Sequence, residues 1–146
     1  MSDELRASYT DTFKHAFDAK GRITVPSEWR DASFESRLIL LPSTESCIRV
    51  YPASWMSDMQ RDLKGRVDSD PVKQQFQALA SIAQSATWDQ QGRIMVKEWL
   101  RKESGITKDA ALVGKSFFFE IWDKATWEKK QPVKFKLEEA LRAMGK

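Results

Sequence analysis

Asp18, Lys20, Gly21 and Arg22 are the residues of this chain whose types and spacing could do chemistry, and Asp89, Gly92 and Arg93 repeat the arrangement 71 positions later. Both copies read Asp-x-x-Gly-Arg-Ile-x-Val, with Gln91 standing where the first copy has Lys20. A guanidinium is a planar fork that can pair with a phosphate or with the O6 and N7 edge of guanine, whereas an ammonium acts only as a point charge. An aspartate four residues ahead of that arginine can accept backbone or guanidinium hydrogens and hold the loop closed. Such a partner lowers the carboxyl pKa, which removes it from acid/base work near neutrality. Gly21 and Gly92 suit a tight strand connection that needs positive φ. Asp18, Gly21, Asp89 and Gly92 therefore read as organisers of two loops. For one loop alone a purely structural clasp is the simpler reading. Two loops related by a pseudo-twofold would instead present Lys14, Lys20, Arg22 and Arg93 on one surface able to contact DNA.

Other chemistries find few residues to work with. The single histidine, His15, lies in an aromatic stripe with Phe13 and Phe17, which suits a partly buried strand residue better than a catalytic base. There is no His/Cys cluster to hold zinc, no Gly-x-x-x-x-Gly-Lys-Ser/Thr loop and no Gly-x-Gly-x-x-Gly turn. No catalytic residue, metal ligand or cofactor is expected, and the chain does not read as an enzyme. Cys47, the one cysteine, sits in the apolar run Cys47-Ile48-Arg49-Val50-Tyr51 and reads as a packed thiol.

Charge and length narrow the class of partner. A net charge of +3 over 146 residues is too small for a general nucleic-acid coat, so the placement of charge matters more than its total. Beyond residue 128, Lys129, Lys130, Lys134, Lys136, Arg142 and Lys146 face only Glu138 and Glu139. This basic tail reads as a solvated segment, with a phosphate-tracking arm as the alternative. No apolar run approaches the roughly 18 residues of a membrane span, and the polar start does not resemble a signal peptide. No membrane partner and a cytoplasmic location are expected.

The elements that must hold the two loops also come in duplicate. From Phe13 to Tyr51 the two halves align without a gap and share eight residues, Arg30/Arg101, Ser33/Ser104 and Leu41/Leu112 among them. Phe13, His15 and Phe17 alternate at period two, Ile23 and Val25 resume the alternation, and the spacing predicts a hairpin around Gly21. A short helix over 27–32, strands over 38–41 and 47–51, and a helix after Pro52 with Trp55, Met59 and Leu63 on one side follow. Asp70 and Pro71 predict the start of a helix over 72–82 that joins the halves. The second half repeats the order: a hairpin over 86–96, a short helix over 97–103, strands over 110–113 and 117–122, and a helix begun by Asp123. A last helical turn or two is expected over 138–144.

The stretch from Phe13 to Pro26, continuing to Trp29 and Arg30, resembles the first signature of the MraZ family, aromatic-x-His-x-hydrophobic-Asp-x-Lys-Gly-Arg-x-x-x-Pro. Asp89 to Arg93 resembles its second Asp-x-x-x-Arg. Val113-Gly114, Phe119 to Trp122 and Trp127-Glu128 resemble its ending, and Tyr51-Pro52 with Trp55 its middle element. The resemblance implies an α+β fold of duplicated AbrB-like β-hairpin/helix units, forming a pseudo-twofold small β-barrel with peripheral helices. It divides the chain into a first AbrB-like (SpoVT-AbrB) repeat over 13–65, a linking helix over 66–84, a second repeat over 85–130 and the basic tail over 131–146. It further implies a nucleoid-associated transcription regulator of the division and cell-wall gene cluster, commonly a repressor. Such a regulator binds short repeats in double-stranded promoter DNA as a homo-oligomeric ring, usually of eight subunits and sometimes of twelve. Arg22 is then the first residue expected on DNA, followed by Lys20 and Lys14, with Arg93 a further contact. An antitoxin-like or scaffolding module of the same fold stays open as the alternative.

Overall fold

Every strand of the first half finds its counterpart 71 residues on, and the two halves are built into each other rather than side by side. The computed structural model describes residues 7–130 and 136–146, so Lys134 of the basic tail lies outside the described residues. In chain order the strands are β1 (Thr12–Ala16), β2 (Arg22–Thr24), β3 (Arg37–Pro42), β4 (Ile48–Pro52), β5 (Gln84–Thr87), β6 (Arg93–Met95), β7 (Asp109–Gly114) and β8 (Phe119–Asp123). Among the described residues the helices are α1 (Ala53–Leu63), α2 (Pro71–Ile82), α3 (Glu98–Glu103), α4 (Lys124–Lys129) and α5 (Leu137–Ala143), with a 3-10 turn at Ser27–Trp29.

Six strands form one antiparallel sheet in the order β1-β7-β8-β4-β3-β5, and β2 pairs with β6 in a separate two-stranded ribbon. The order reads the same from either end once each strand is exchanged for its repeat counterpart. A pseudo-twofold therefore passes between β8 and β4 and between β2 and β6. The α+β class follows. The described strands do not close into a barrel: among the described residues β1 and β5 are the edges of the larger sheet.

The hairpins also depart from the expected form. Each loop closes tightly, with Asp18 N–H donating to the Arg22 carbonyl and Asp89 N–H to that of Arg93, both at 2.9 Å. Past the loop, however, the arms separate: β1 pairs with β7 and β5 with β3, while β2 pairs with β6. The physical reason lies in the length of β2 and β6. Three residues cannot bury an isoleucine against their own hairpin arm, but pairing the two copies sets Ile23 directly opposite Ile94. Both side chains are buried, each worth about 1.5–3 kcal/mol relative to exposure.

Below the ribbon lies one core drawn from both halves, including Val25, Leu40, Val50, Val96, Leu112 and Ile121. Trp29 plugs one end of it, edge-on to Phe13 and Tyr9 and tilted against Phe119 at 4.7 Å, while its indole N–H donates to the Thr10 carbonyl. The short helix expected over 27–32 takes the form of a 3-10 turn over Ser27–Trp29 that carries Trp29. Phe117, expected to begin β8, is fully outside it on the preceding turn.

Two expectations about polar groups hold. Asp70 accepts the N–H groups of Val72 and Lys73 and caps α2, and Cys47 is buried in the core, where desolvation first and then Glu120 push its thiol up to about 12. Glu120 itself is buried, and its carboxyl group accepts from Arg49 Nε at 3.2 Å and from the Trp122 indole N–H at 2.9 Å. Loss of either donor would leave one oxygen of that buried carboxyl group without its partner.

Helices α1 and α2 cover the sheet incompletely. Neither has a buried residue, and Val72 and Ile82 on α2 are 52% and 48% exposed. A groove of about 870 Å³ runs between them and the sheet, lined by Trp55, Met59, Leu63, Phe76 and Leu79 among others.

Candidate nucleic-acid interface

The alternation of the β2–β6 ribbon sends Ile23 and Ile94 inward and so turns Arg22, Thr24, Arg93 and Met95 outward. Arg22 stands across from Met95 and Thr24 across from Arg93. The tips of the two loops extend the ribbon at opposite ends, with exposed Lys20 beyond Arg22 and exposed Gln91 beyond Arg93.

Each loop is held by the clasp its sequence suggests. Asp18 Oδ1 accepts the N–H groups of Lys20 at 3.0 Å and Arg22 at 2.8 Å, and Oδ2 accepts Nε of Arg22 at 2.7 Å. Asp89 repeats the pattern with Gln91 and Arg93, its bond to Arg93 Nε being 3.2 Å. The Arg22 and Arg93 backbone N–H groups are the largest causes that hold the two carboxyls below the ordinary carboxylate range, with the guanidinium bonds adding to them. A carboxyl with a depressed folded pKa contributes stability above its unfolded value, about pH 4, and loses it as pH falls through the lower folded value. Both loops are thus fully clasped throughout the neutral range.

Because each clasp engages Nε, it fixes the direction in which the arginine side chain leaves the ribbon. The two arginine side chains are each 28% exposed, neither buried nor loose. Arg93 Nη1 also stands 3.9 Å from Asp18 Oδ2, which ties the two loops together across the pseudo-twofold.

Two residues that sequence reasoning passed over as site components lock the loops from beneath. Arg30 donates from Nε to the Val25 carbonyl at 2.7 Å, and Arg101 from Nε to that of Val96 at 3.1 Å. Their guanidinium groups lie against the glycine of the opposite loop. A Cβ added at Gly92 would come within 2.4 Å of Arg30 Cζ, and one at Gly21 within 2.7 Å of Arg101 Nη2. The two glycines, at φ of +82° and +79°, thus meet a conformational and a steric demand together. The signal was present in the sequence, since Arg30 and Arg101 are one of the eight shared pairs. Backbone bonds from Val25 N–H to Gly92 O and from Val96 N–H to Gly21 O complete the lock.

Lys14 does not join this group. It points from β1 toward α4, with Nζ 3.3 Å from Glu128 and 5.9 Å from the centre of the Trp127 ring. The reason is register: Phe13 of the same strand turns into the core, so Lys14 must turn to the other face of the sheet. His15 is partly buried in β1, as its place in the stripe suggests.

Around the ribbon, Lys20, Arg22, Arg30, Arg93 and Arg101 stand against Asp18 and Asp89. The surface is moderately basic. A two-stranded ribbon, with strands about 4.8 Å apart, enters a DNA major groove about 12 Å wide. Forked donors on its outer face are the chemistry that reads base edges there. Among the described residues no helix is long and apolar enough to cross a membrane.

The interleaved sheet and paired arginine loops define a duplicated α+β protein whose two hairpins exchange partners to build one ribbon. The family model described as "MraZ protein, putative antitoxin-like" matches residues 9–76 and 79–141. A protein named transcriptional regulator MraZ from Thioalkalivibrio sulfidiphilus is 34% identical over 126 residues, 84% of either chain. Relatives of the same name from Lachnoclostridium phytofermentans and Cutibacterium acnes are 34% and 30% identical, over 80% and 83% of this chain and 82% and 85% of their own. The chain belongs to the MraZ family.

Proposed function

We propose that this protein is a sequence-specific DNA-binding transcriptional regulator that acts as a ring-shaped homo-oligomer on short repeats in double-stranded promoter DNA. The observation that carries this reading is the outward pair Arg22 and Arg93, aimed by Asp18 and Asp89 and set on a ribbon of groove-fitting width. Kinship with proteins named transcriptional regulators supports it. In this reading Arg22 and Arg93 contact base edges, Lys20 contacts phosphate, and the regulated genes are the division and cell-wall cluster, under repression. The two repeats, 13–65 and 85–130, act as one reading head, in the cytoplasm and on the nucleoid.

The incompletely covered faces of α1 and α2 support assembly, because apolar residues such as Val72 and Ile82 gain by packing against a second copy. A ring carries several ribbons, and binding one repeat makes contact with the next intramolecular, raising avidity by about a hundredfold or more. With about six phosphates neutralised, log K should fall against log salt with a slope near minus 5.

Footprinting on the region upstream of the protein's own gene, at two salt concentrations, tests the reading. The wild type should protect regularly spaced repeats. Arg22→Ala should protect none of them while eluting at the same oligomeric size. Normal protection by that variant would remove the ribbon from the mechanism.

A further inference from the structure

The 71-residue offset that maps Arg22 onto Arg93 maps Thr24 onto Met95 and Lys20 onto Gln91. The ribbon is therefore symmetric in backbone and in its two arginines but not in what flanks them. Antiparallel register gathers the differences by end: one end carries Lys20, Arg22 and Met95, the other Gln91, Arg93 and Thr24. Met95 is 46% exposed on a face otherwise made of polar side chains. Cross-strand neighbours have Cβ atoms about 5 Å apart, so the Met95 and Arg22 side chains leave the outer face of the ribbon side by side. No core packing calls for Met95, since the residues on either side of it, Ile94 and Val96, are the ones turned inward and buried.

We propose that Met95 is a specificity-determining residue that reads the 5-methyl group of a thymine beside the guanine read by Arg22, and that it gives the ribbon a direction on DNA. The inference rests on the DNA-binding reading above. A guanine is recognised by its acceptors, a thymine by its apolar methyl group, and a guanidinium next to a polarizable thioether offers both in adjacent positions. Thr24 offers its own smaller methyl at the other end, beside Arg93. Lys20 adds a phosphate anchor to the Met95 end only. A pseudo-twofold ribbon with unlike ends distinguishes a site from the same site turned around, which a symmetric ribbon cannot do.

The full-length protein is used to select duplexes from a random-sequence pool, and the consensus duplex is remade with each thymine replaced singly by deoxyuridine, which removes only the methyl group. Arg22→Lys, which keeps the charge and loses the fork, identifies the guanine whose preference relaxes. Replacement of the thymine beside that guanine should weaken wild-type binding about fourfold, the worth of one buried methyl group. Met95→Ala should bind the thymine and uracil duplexes equally. The double exchange Thr24→Met with Met95→Thr should move the larger uracil penalty to the other end of the site. A consensus without a thymine at that position, a wild type indifferent to every replacement, or a penalty that persists in Met95→Ala would overturn the inference and leave the DNA-binding reading intact. Recovery of no consensus at all would overturn that reading and the inference together.

Discussion

The loop around Gly21 and the loop around Gly92 share a backbone and differ in reach. Both use an aspartate to collect two backbone N–H groups and an arginine Nε, and both rest their glycine on an arginine from the opposite half. The first loop is the tighter: Asp18 holds Arg22 at 2.7 Å and also draws Arg93 to 3.9 Å, whereas Asp89 holds Arg93 alone at 3.2 Å. Only the first loop carries a cation at its tip. Shared residues thus build the geometry, and unshared residues decide what each end does with it.

The largest effect should separate the two arginines. Arg22→Ala is expected to lower affinity for a selected duplex by about 10- to 100-fold per site, the worth of a good bidentate base contact, and Arg93→Ala by clearly less, as read by gel shift. Equal losses would make the ribbon a symmetric reader and erase the functional difference between its ends. A second comparison concerns the glycines. Gly92→Ala and Gly21→Ala should each destabilise the fold by roughly 2 kcal/mol through the left-handed backbone alone. Thermal melts should show the larger loss for Gly92→Ala, because its Cβ would strike the Arg30 guanidinium carbon and not a terminal nitrogen that can swing aside. Lys20→Ala should flatten the log K against log salt slope by about one, with Gln91→Ala leaving it unchanged; a similar change in both would show that the tips do not differ. The smallest effect belongs to Lys14. Lys14→Ala should leave DNA affinity untouched and alter stability by less than about 1 kcal/mol, since it removes an exposed ion pair with Glu128 and a distant cation contact with the Trp127 ring.

Much of this molecule was legible in the chain because its informative signals are short-range. The aspartate clasp, the positive-φ glycine and the Asp70 cap of α2 each involve residues within five positions of one another. The strand positions followed from period-two patterns and turn residues, and the duplication from one constant offset. Lys14 stands apart from the ribbon because the period-two alternation that packs Phe13 on the core sends its neighbour to the other face of the sheet, where it meets Glu128. Met95 gave no signal, since an exposed methionine and a buried one look alike until strand pairing assigns the face. Arg30 and Arg101 were visible as a shared pair, but their contact crosses to the opposite loop.

The sequence by itself determined that there are two equivalent loops, what closes each, and which side chains stand at their tips, because a loop of five residues carries its own hydrogen-bonding instructions. Only the tertiary structure decided that the arms exchange partners, that β2 and β6 meet in one ribbon, and that Arg22 comes to stand beside Met95 across 73 positions of chain. Strand pairing of that range is chosen by burial: Ile23 and Ile94 leave water by facing each other, and every outward neighbour is placed as a consequence.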